Sequence, residues 1–133
     1  MGTLLGFDYG PRKIGVAVGQ TLTASASPLT TLRARNGRPD WEAIGRMIAE
    51  WQPQEIVVGI PYHMDDTEAE PAKGARRFAH QIEGRYRLPV RLVDERLTSR
   101  EARDRLGRRA VSREAVDAMA AKLIVETWLS EHA

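Results

Sequence analysis

No cysteine occurs among the 133 residues, which excludes disulfides and thiolate metal sites and is compatible with a reducing compartment. No apolar run approaches the roughly 20 residues that span a bilayer. The opening MGTLLGFDYG meets an Asp and a turn too soon for a secretion signal. A cytoplasmic, soluble chain with no membrane partner is therefore expected. Histidine is scarce, and His63, His80 and His132 are too scattered to form a metal site. Trp41, Trp51 and Trp128 fall at helical core spacing, which argues against platforms for stacked bases. There is no GxxxxGK[ST] phosphate loop, no internal repeat and no linker. The length suits a single compact domain, 1–133.

A net charge of +2 hides an uneven distribution. Residues 1–70 carry 6 basic and 9 acidic side chains, whereas residues 71–133 carry 14 and 9. Within 73–113, 13 basic side chains stand against 5 acidic ones, and all the basic ones except Lys73 are Arg. A solvated helical surface accounts for such a run in the plainest way. Arginine forks also match phosphate geometry, and nucleic-acid contact is the reading favoured here.

Alternation of apolar residues predicts a strand at 3–9, with Leu5, Phe7 and Tyr9 on one face and Leu4, Gly6 and Asp8 on the other. The turn GPRK (10–13) leads to a second, antiparallel strand at 14–19, whose outer face is only Gly15, Ala17 and Gly19. SPLTTL (27–32) predicts a third strand. A helix is expected within 39–51, capped by Asp40. EIVVGIP (55–61) reads as a strand buried on both faces. The polar loop 62–71 precedes a helix running to about Arg85, with Ala75, Phe78, Ala79 and Ile82 inward. PVRLV (89–93) is a fifth strand. TSRE (98–101) is a capping box that opens a short basic helix. A final helix from about Ser112 is expected to turn Val116, Ala120, Leu123 and Trp128 inward. The order βββαβαβαα describes an α/β fold: a hairpin-started sheet continued by two right-handed crossovers.

Three carboxylates stand where the chain turns or packs closely. Asp8 ends the first strand, Glu95 follows the fifth, and Asp117 lies early in the last helix. With strands one, four and five parallel, Asp8 and Glu95 emerge at the carboxyl edge, where open α/β sheets place ligands. The small residues Ala118, Ala120 and Ala121 allow the last helix to approach Gly6 and carry Asp117 towards Asp8. Carboxylates without thiolates or imidazoles suit hard cations, Mg²⁺ or Mn²⁺. Two such ions about 4 Å apart activate water and stabilise a leaving oxygen in phosphodiester hydrolysis. On this reading the glycines at 10 and 15 give metal and backbone room. Taken singly, each acid is more simply a turn residue, an ion-pair partner or a helix charge.

GFDYGPRKIGVAVG, WQPQEIVVGIPYHMD, DERLTS and VDAMAAKLIVETWL occur together in order. In this the chain resembles the YqgF family over essentially its whole length. These are bacterial proteins with an RNase H-like fold, regarded as Holliday-junction-resolvase homologues and as candidate nucleases that mature the 5′ end of 16S rRNA precursors. The resemblance implies an RNase H-like, five-stranded mixed sheet flanked by helices. It also implies catalytic, metal-binding acids at Asp8, Glu95 and Asp117. Arg12 and Lys13 match the family's basic turn, and Arg96 and Thr98 its DERLTS run. Position and charge make Arg12, Lys13, Lys73, Arg76, Arg96 and Thr98 the candidate nucleic-acid contacts. Three departures stand out. The connection at 107–113 is short. Asp65 and Asp66 add acid, which caps the next helix or repels substrate. The fourth strand ends Gly59-Ile60-Pro61 where RNase H relatives commonly place an acid, so Glu95 has to substitute from another strand.

The function expected first is a metal-dependent endonuclease on structured RNA, most plausibly pre-rRNA in ribosome precursors. Branched DNA is the rival substrate, and its resolution normally needs a symmetric dimer. No dimer face is identifiable, so a monomer or weak homodimer is expected. A non-catalytic RNA-binding or ribosome-assembly factor is the second class, with salt-sensitive binding and no product. The first turn also looks like the phosphate loop of the actin and sugar-kinase superfamily, but those enzymes close two such domains on ATP.

Overall fold

The structure, a computed structural model, describes residues 2–61, 70–95 and 113–132. Its elements are β1 (Thr3–Tyr9), β2 (Lys13–Gln20), β3 (Ser25–Arg33), α1 (Trp41–Trp51), β4 (Glu55–Ile60), α2 (Glu70–Tyr86), β5 (Val90–Asp94) and α3 (Arg113–His132). The loop carrying Asp65 and Asp66, the expected short basic helix after Thr98, and the 107–112 part of the connection lie outside the described residues.

The strands form one mixed sheet in the order β3-β2-β1-β4-β5. The first three are antiparallel, while β1, β4 and β5 run parallel as expected. Every residue of β4 from Ile56 to Ile60 is buried, as suits a strand covered on both faces. β3 lies at an edge, where Pro28 removes no ladder bond that an inner strand would need. The register shifts beside Pro28 because Ala17 pairs with Pro28 and Val16 with Thr30.

Strand alternation sorts side chains into two cores. Leu5, Phe7, Ile14, Val16, Ile56 and Val58 point towards α1 and α2. Leu4, Ala17, Val57 and Val93 point towards α3. On the first side Phe78 of α2 packs among Phe7, Tyr9 and Trp41, with ring centroids 5.2–5.7 Å apart. Ala75, Phe78, Ala79 and Ile82 all turn inward as read from the sequence. Asp40 caps α1 by accepting a hydrogen bond from the Ala43 N–H at 3.1 Å, a contribution of about 1 kcal/mol. The helix closes at Gln52, in a left-handed conformation before Pro53.

The inward face of α3 differs from the expectation. Ala118, Ala121, Ile124, Val125 and Leu129 are buried, while Ala120, Leu123 and Trp128 are only half-buried; the side chain of Val116 lies outside the described residues. The helix is apolar on nearly all sides, so periodicity alone does not choose its face. The sheet chooses it. The glycine face of β1 and β2 leaves room only for a close-packed helix, and Val125 fills the space over Gly6 and Gly19. Trp128 packs against the rim of this core and stacks on His132, 3.4 Å between ring centroids. Among the described residues no helix is long and apolar enough to cross a membrane.

Candidate active site

Asp8 is the last residue of β1 to face α3, and its cross-strand partner is Gly15. Directly opposed residues have Cα atoms about 5 Å apart. A Cβ built on Gly15 would collide with the backbone carbonyl of Asp117 and lie 3.1 Å from the Ala118 nitrogen. The α3 backbone therefore rests on Gly15, one strand away from Asp8. This is the approach expected from the small residues of α3, with one difference. The room left by Gly15 is filled by helix backbone and is not shared with a metal site. At Gly10 the near neighbour is the Lys13 carbonyl, 2.7 Å from an added Cβ, which explains the tightness of the turn.

Glu95 arrives from the other side. β1 and β4 pair in parallel with Phe7 opposite Val58, so Asp8 continues the ladder beside Gly59. Gly59 in turn pairs with Val93, placing it on the α3 face. The Glu95 side chain folds back over it: a Cβ on Gly59 would stand 2.8 Å from Glu95 Oε1 and 2.5 Å from Ile124 Cδ1. Adjacent strands lie about 4.8 Å apart. The carboxylate of Glu95 thus occupies the end of β4, where the chain itself offers only Gly59-Ile60-Pro61.

The Asp117 backbone thus lies over the cross-strand partner of Asp8, and the Glu95 side chain over the ladder position beside Asp8 on the next strand; all three acids are half-buried. Each already has an interaction partner. Among the described residues no group of three or more His, Cys, Asp or Glu is gathered to hold a metal ion as it stands. The backbone juxtaposes the three acids without closing them into a cage. Their donor chemistry is all hard carboxylate oxygen, which fits Mg²⁺ or Mn²⁺ and not a soft metal.

The expected phosphate contacts divide. Arg12 is exposed in the turn after β1, and Lys13 is half-buried at the start of β2 on the same face as Gly15. Lys73 is exposed near the start of α2, beside Gly74, which abuts the Tyr9 ring. Arg76 lies with His80 and Glu83 in a small groove between α2 and β5, on the sheet face opposite α3. Arg96 and Thr98 lie outside the described residues.

The sequence reading missed a second basic group. In Arg35-Asn36-Gly37-Arg38 the central residues have φ of 52° and 75°, and Arg35 and Arg38 exchange both backbone hydrogen bonds, at 3.0 and 2.8 Å. This is a two-residue hairpin turn for which Asn-Gly is the strongest short-range signal.

A family model described as "RuvX: Holliday junction resolvase" matches residues 2–131. A protein of Nitrosococcus oceani named "Putative pre-16S rRNA nuclease" is 51% identical over 131 residues, covering 96% of this chain and 86% of its own length. A protein of Legionella pneumophila with the same name is 50% identical, covering 98% and 96%. Among solved structures, Thermus thermophilus RuvC in complex with a Holliday junction substrate superposes with a TM-score of 0.63 at 15% identity, covering 100% of this chain and 98% of that one. The fowlpox virus resolvase in complex with Holliday junction DNA gives 0.56 at 8%, covering 98% of both. At such identities the likeness is one of fold, and the fold is RNase H-like, as the sequence resemblance implied.

Proposed function

The chain belongs to the RuvX (YqgF) family, and from that premise we propose that it is a divalent-metal-dependent endonuclease acting on the precursor of 16S rRNA. This reading is supported by the approach of the Asp117 backbone to Gly15, the cross-strand partner of Asp8, and of the Glu95 side chain to Gly59, on the neighbouring strand. The names of relatives at about half identity support the choice of substrate. Asp8, Glu95 and Asp117 are the residues that would hold Mg²⁺ or Mn²⁺. When bound, the cation supplies Lewis acidity towards a phosphodiester and lowers the pKa of water.

The chain's own residues do the rest. With Asp117 over Gly15 on one side and Glu95 over Gly59 on the other, the Asp8 carboxylate would serve both. Glu95 and Asp117 would complete the metal's ligand set from opposite flanks. Uncompensated acids repel phosphate, so substrate affinity has to come from cations nearby. Arg12 and Lys13, on the turn that follows Asp8, are first among these; Lys73, Arg96 and Thr98 are proposed as further contacts, and Arg76, on the opposite sheet face, would meet only a substrate that reaches around the sheet edge. The protein is proposed to work in the cytoplasm, as a monomer or weak homodimer.

The family description favours a second substrate, four-way DNA. A side-by-side assay separates the two: equal enzyme with labelled 16S rRNA precursor and with an immobile four-way junction, in Mg²⁺ and in Mn²⁺. Metal-dependent cleavage of the precursor, at least about tenfold faster than the junction, is the expected result. Faster cleavage of the junction transfers the same site to DNA, and no cleavage of either leaves a binding factor.

A further inference from the structure

The structure places a row of five cations beside the carboxylate corner. Lys13 and Arg33 are cross-strand partners at the ends of β2 and β3. Ile14 and Leu32, their neighbours, point into the α1–α2 core, so Lys13 and Arg33 belong to the other face, the one that carries Asp8 and Gly15. Beyond them the chain continues into the hairpin turn that sets Arg35 directly opposite Arg38.

That hairpin is fastened to the turn after Asp8 at three points. The Ala34 N–H donates to the Arg12 carbonyl at 2.8 Å, and the Gly37 N–H to the Pro11 carbonyl at 3.3 Å. The Tyr9 hydroxyl donates to the Gly37 carbonyl at 3.2 Å. Tyr9 follows Asp8 directly, so the arginine hairpin and the first acid are held in a fixed relation. Strand geometry puts the Arg33 Cα about 12 Å from that of Asp8, two strands across and two residues along.

Arg12, Arg33, Arg35 and Arg38 are exposed and Lys13 half-buried. Among the described residues none of the five is in an ion pair. A groove of about 770 Å³ runs between β3 and the start of α1, lined by Thr31, Arg33, Arg35, Arg38 and Asp40. Asp40, the only acid in that lining, is committed to capping α1. Like charges directly opposite each other on paired strands are unfavourable. Arg35 and Arg38 therefore carry a cost that a polyanion would relieve.

We propose that Lys13, Arg33, Arg35 and Arg38, continuing from Arg12, form a track for the sugar-phosphate backbone on one side of the scissile bond. This rests on the nuclease reading for its direction, since the track leads away from Asp8. Its ligand is the phosphodiester backbone of a nucleic-acid strand, contacted through phosphates and so indifferent to sequence.

The test reads binding, without cleavage, in EDTA: fluorescence anisotropy of labelled single-stranded RNA and of DNA of the same sequence across a salt series. Arg35→Gln/Arg38→Gln is expected to weaken both ligands about tenfold near 0.1 M salt. It should also reduce the log–log salt slope by about 1.4, two single-strand phosphate contacts at roughly 0.7 each. Arg46→Gln, an exposed arginine on α1 paired with Glu42, is the control and should change neither. Should the double variant fail to fold, Arg38→Gln alone should reduce the slope by about 0.7. Unchanged affinity and slope overturn the track, as does an equal loss in Arg46→Gln. Failure of the wild type to cleave any substrate would sink the nuclease reading while leaving this binding result standing.

Discussion

Asp8→Asn is expected to lower metal-dependent cleavage of precursor RNA by at least about 10³-fold, while affinity for the same RNA in EDTA stays within about twofold. A loss of that size corresponds to about 4 kcal/mol of transition-state stabilisation, within what a bound cation supplies to a phosphoryl oxygen. The geometry explains why Asp8 should matter most. It pairs with Gly15, on which Asp117 rests, and continues the ladder beside Gly59, over which Glu95 folds. Asparagine keeps the size and removes the charge, and a thermal melt of the variant separates loss of the ion site from loss of the fold. Single-turnover cleavage with saturating Mn²⁺ measures the effect. Activity within tenfold of wild type would mean that Asp8 holds no catalytic ion.

The second large effect is expected at Gly15. In most strands Gly→Ala is stabilising, because it restricts the unfolded chain. Here an alanine methyl would enter the Asp117 carbonyl and press on the Ala118 nitrogen. Backbone cannot rotate aside as a side chain can, so α3 has to lift from the sheet. A cost of about 3 kcal/mol follows from overpacking of this kind, or a melting temperature lower by roughly 10 °C. The shift also carries Asp117 away from Asp8, so cleavage should fall more than tenfold at temperatures where the variant is folded. Gly19→Ala is the matched control. Its added methyl presses only on the Val125 side chain, with the Leu129 side chain and the Ser25 carbonyl at ordinary contact distance, at the end of the sheet remote from Asp8. It should lose stability and keep its cleavage rate. Equal activity losses in the two variants would show that Gly15 acts through stability alone.

Much of this arrangement is readable before any coordinates. Leu5, Phe7 and Tyr9 alternate with Leu4, Gly6 and Asp8, and that period fixes both the strand and the face on which the acid emerges. Asp40 before Trp41 marks the start of α1 because a cap has a local chemical cause. The inward side of α3 is not readable in this way. Its residues are apolar nearly all round, and the face buried is selected by glycines on two strands roughly a hundred residues earlier. The Gly15–Asp117 contact is legible only in outline, as small residues facing a glycine row. The arginine hairpin carries a clear local signal in Asn36-Gly37. A charge balance taken over residues 1–70, which is net acidic, conceals it. Charges act over distances set by the fold, so a tally along the chain averages away a cluster formed by two strand ends.

The central claim is that Asp8 of β1, Glu95 just after β5 and Asp117 of α3 share a hard cation. Crystals grown with the Asp8-intact chain, a non-cleavable RNA analogue and Mn²⁺ test it through anomalous scattering at the manganese edge. The account predicts at least one manganese peak at the corner of Asp8, Glu95 and Asp117, with carboxylate oxygens as its protein ligands at roughly 2.1 Å. Saturating manganese that leaves this corner without a peak, or binds elsewhere through other residues, would contradict it.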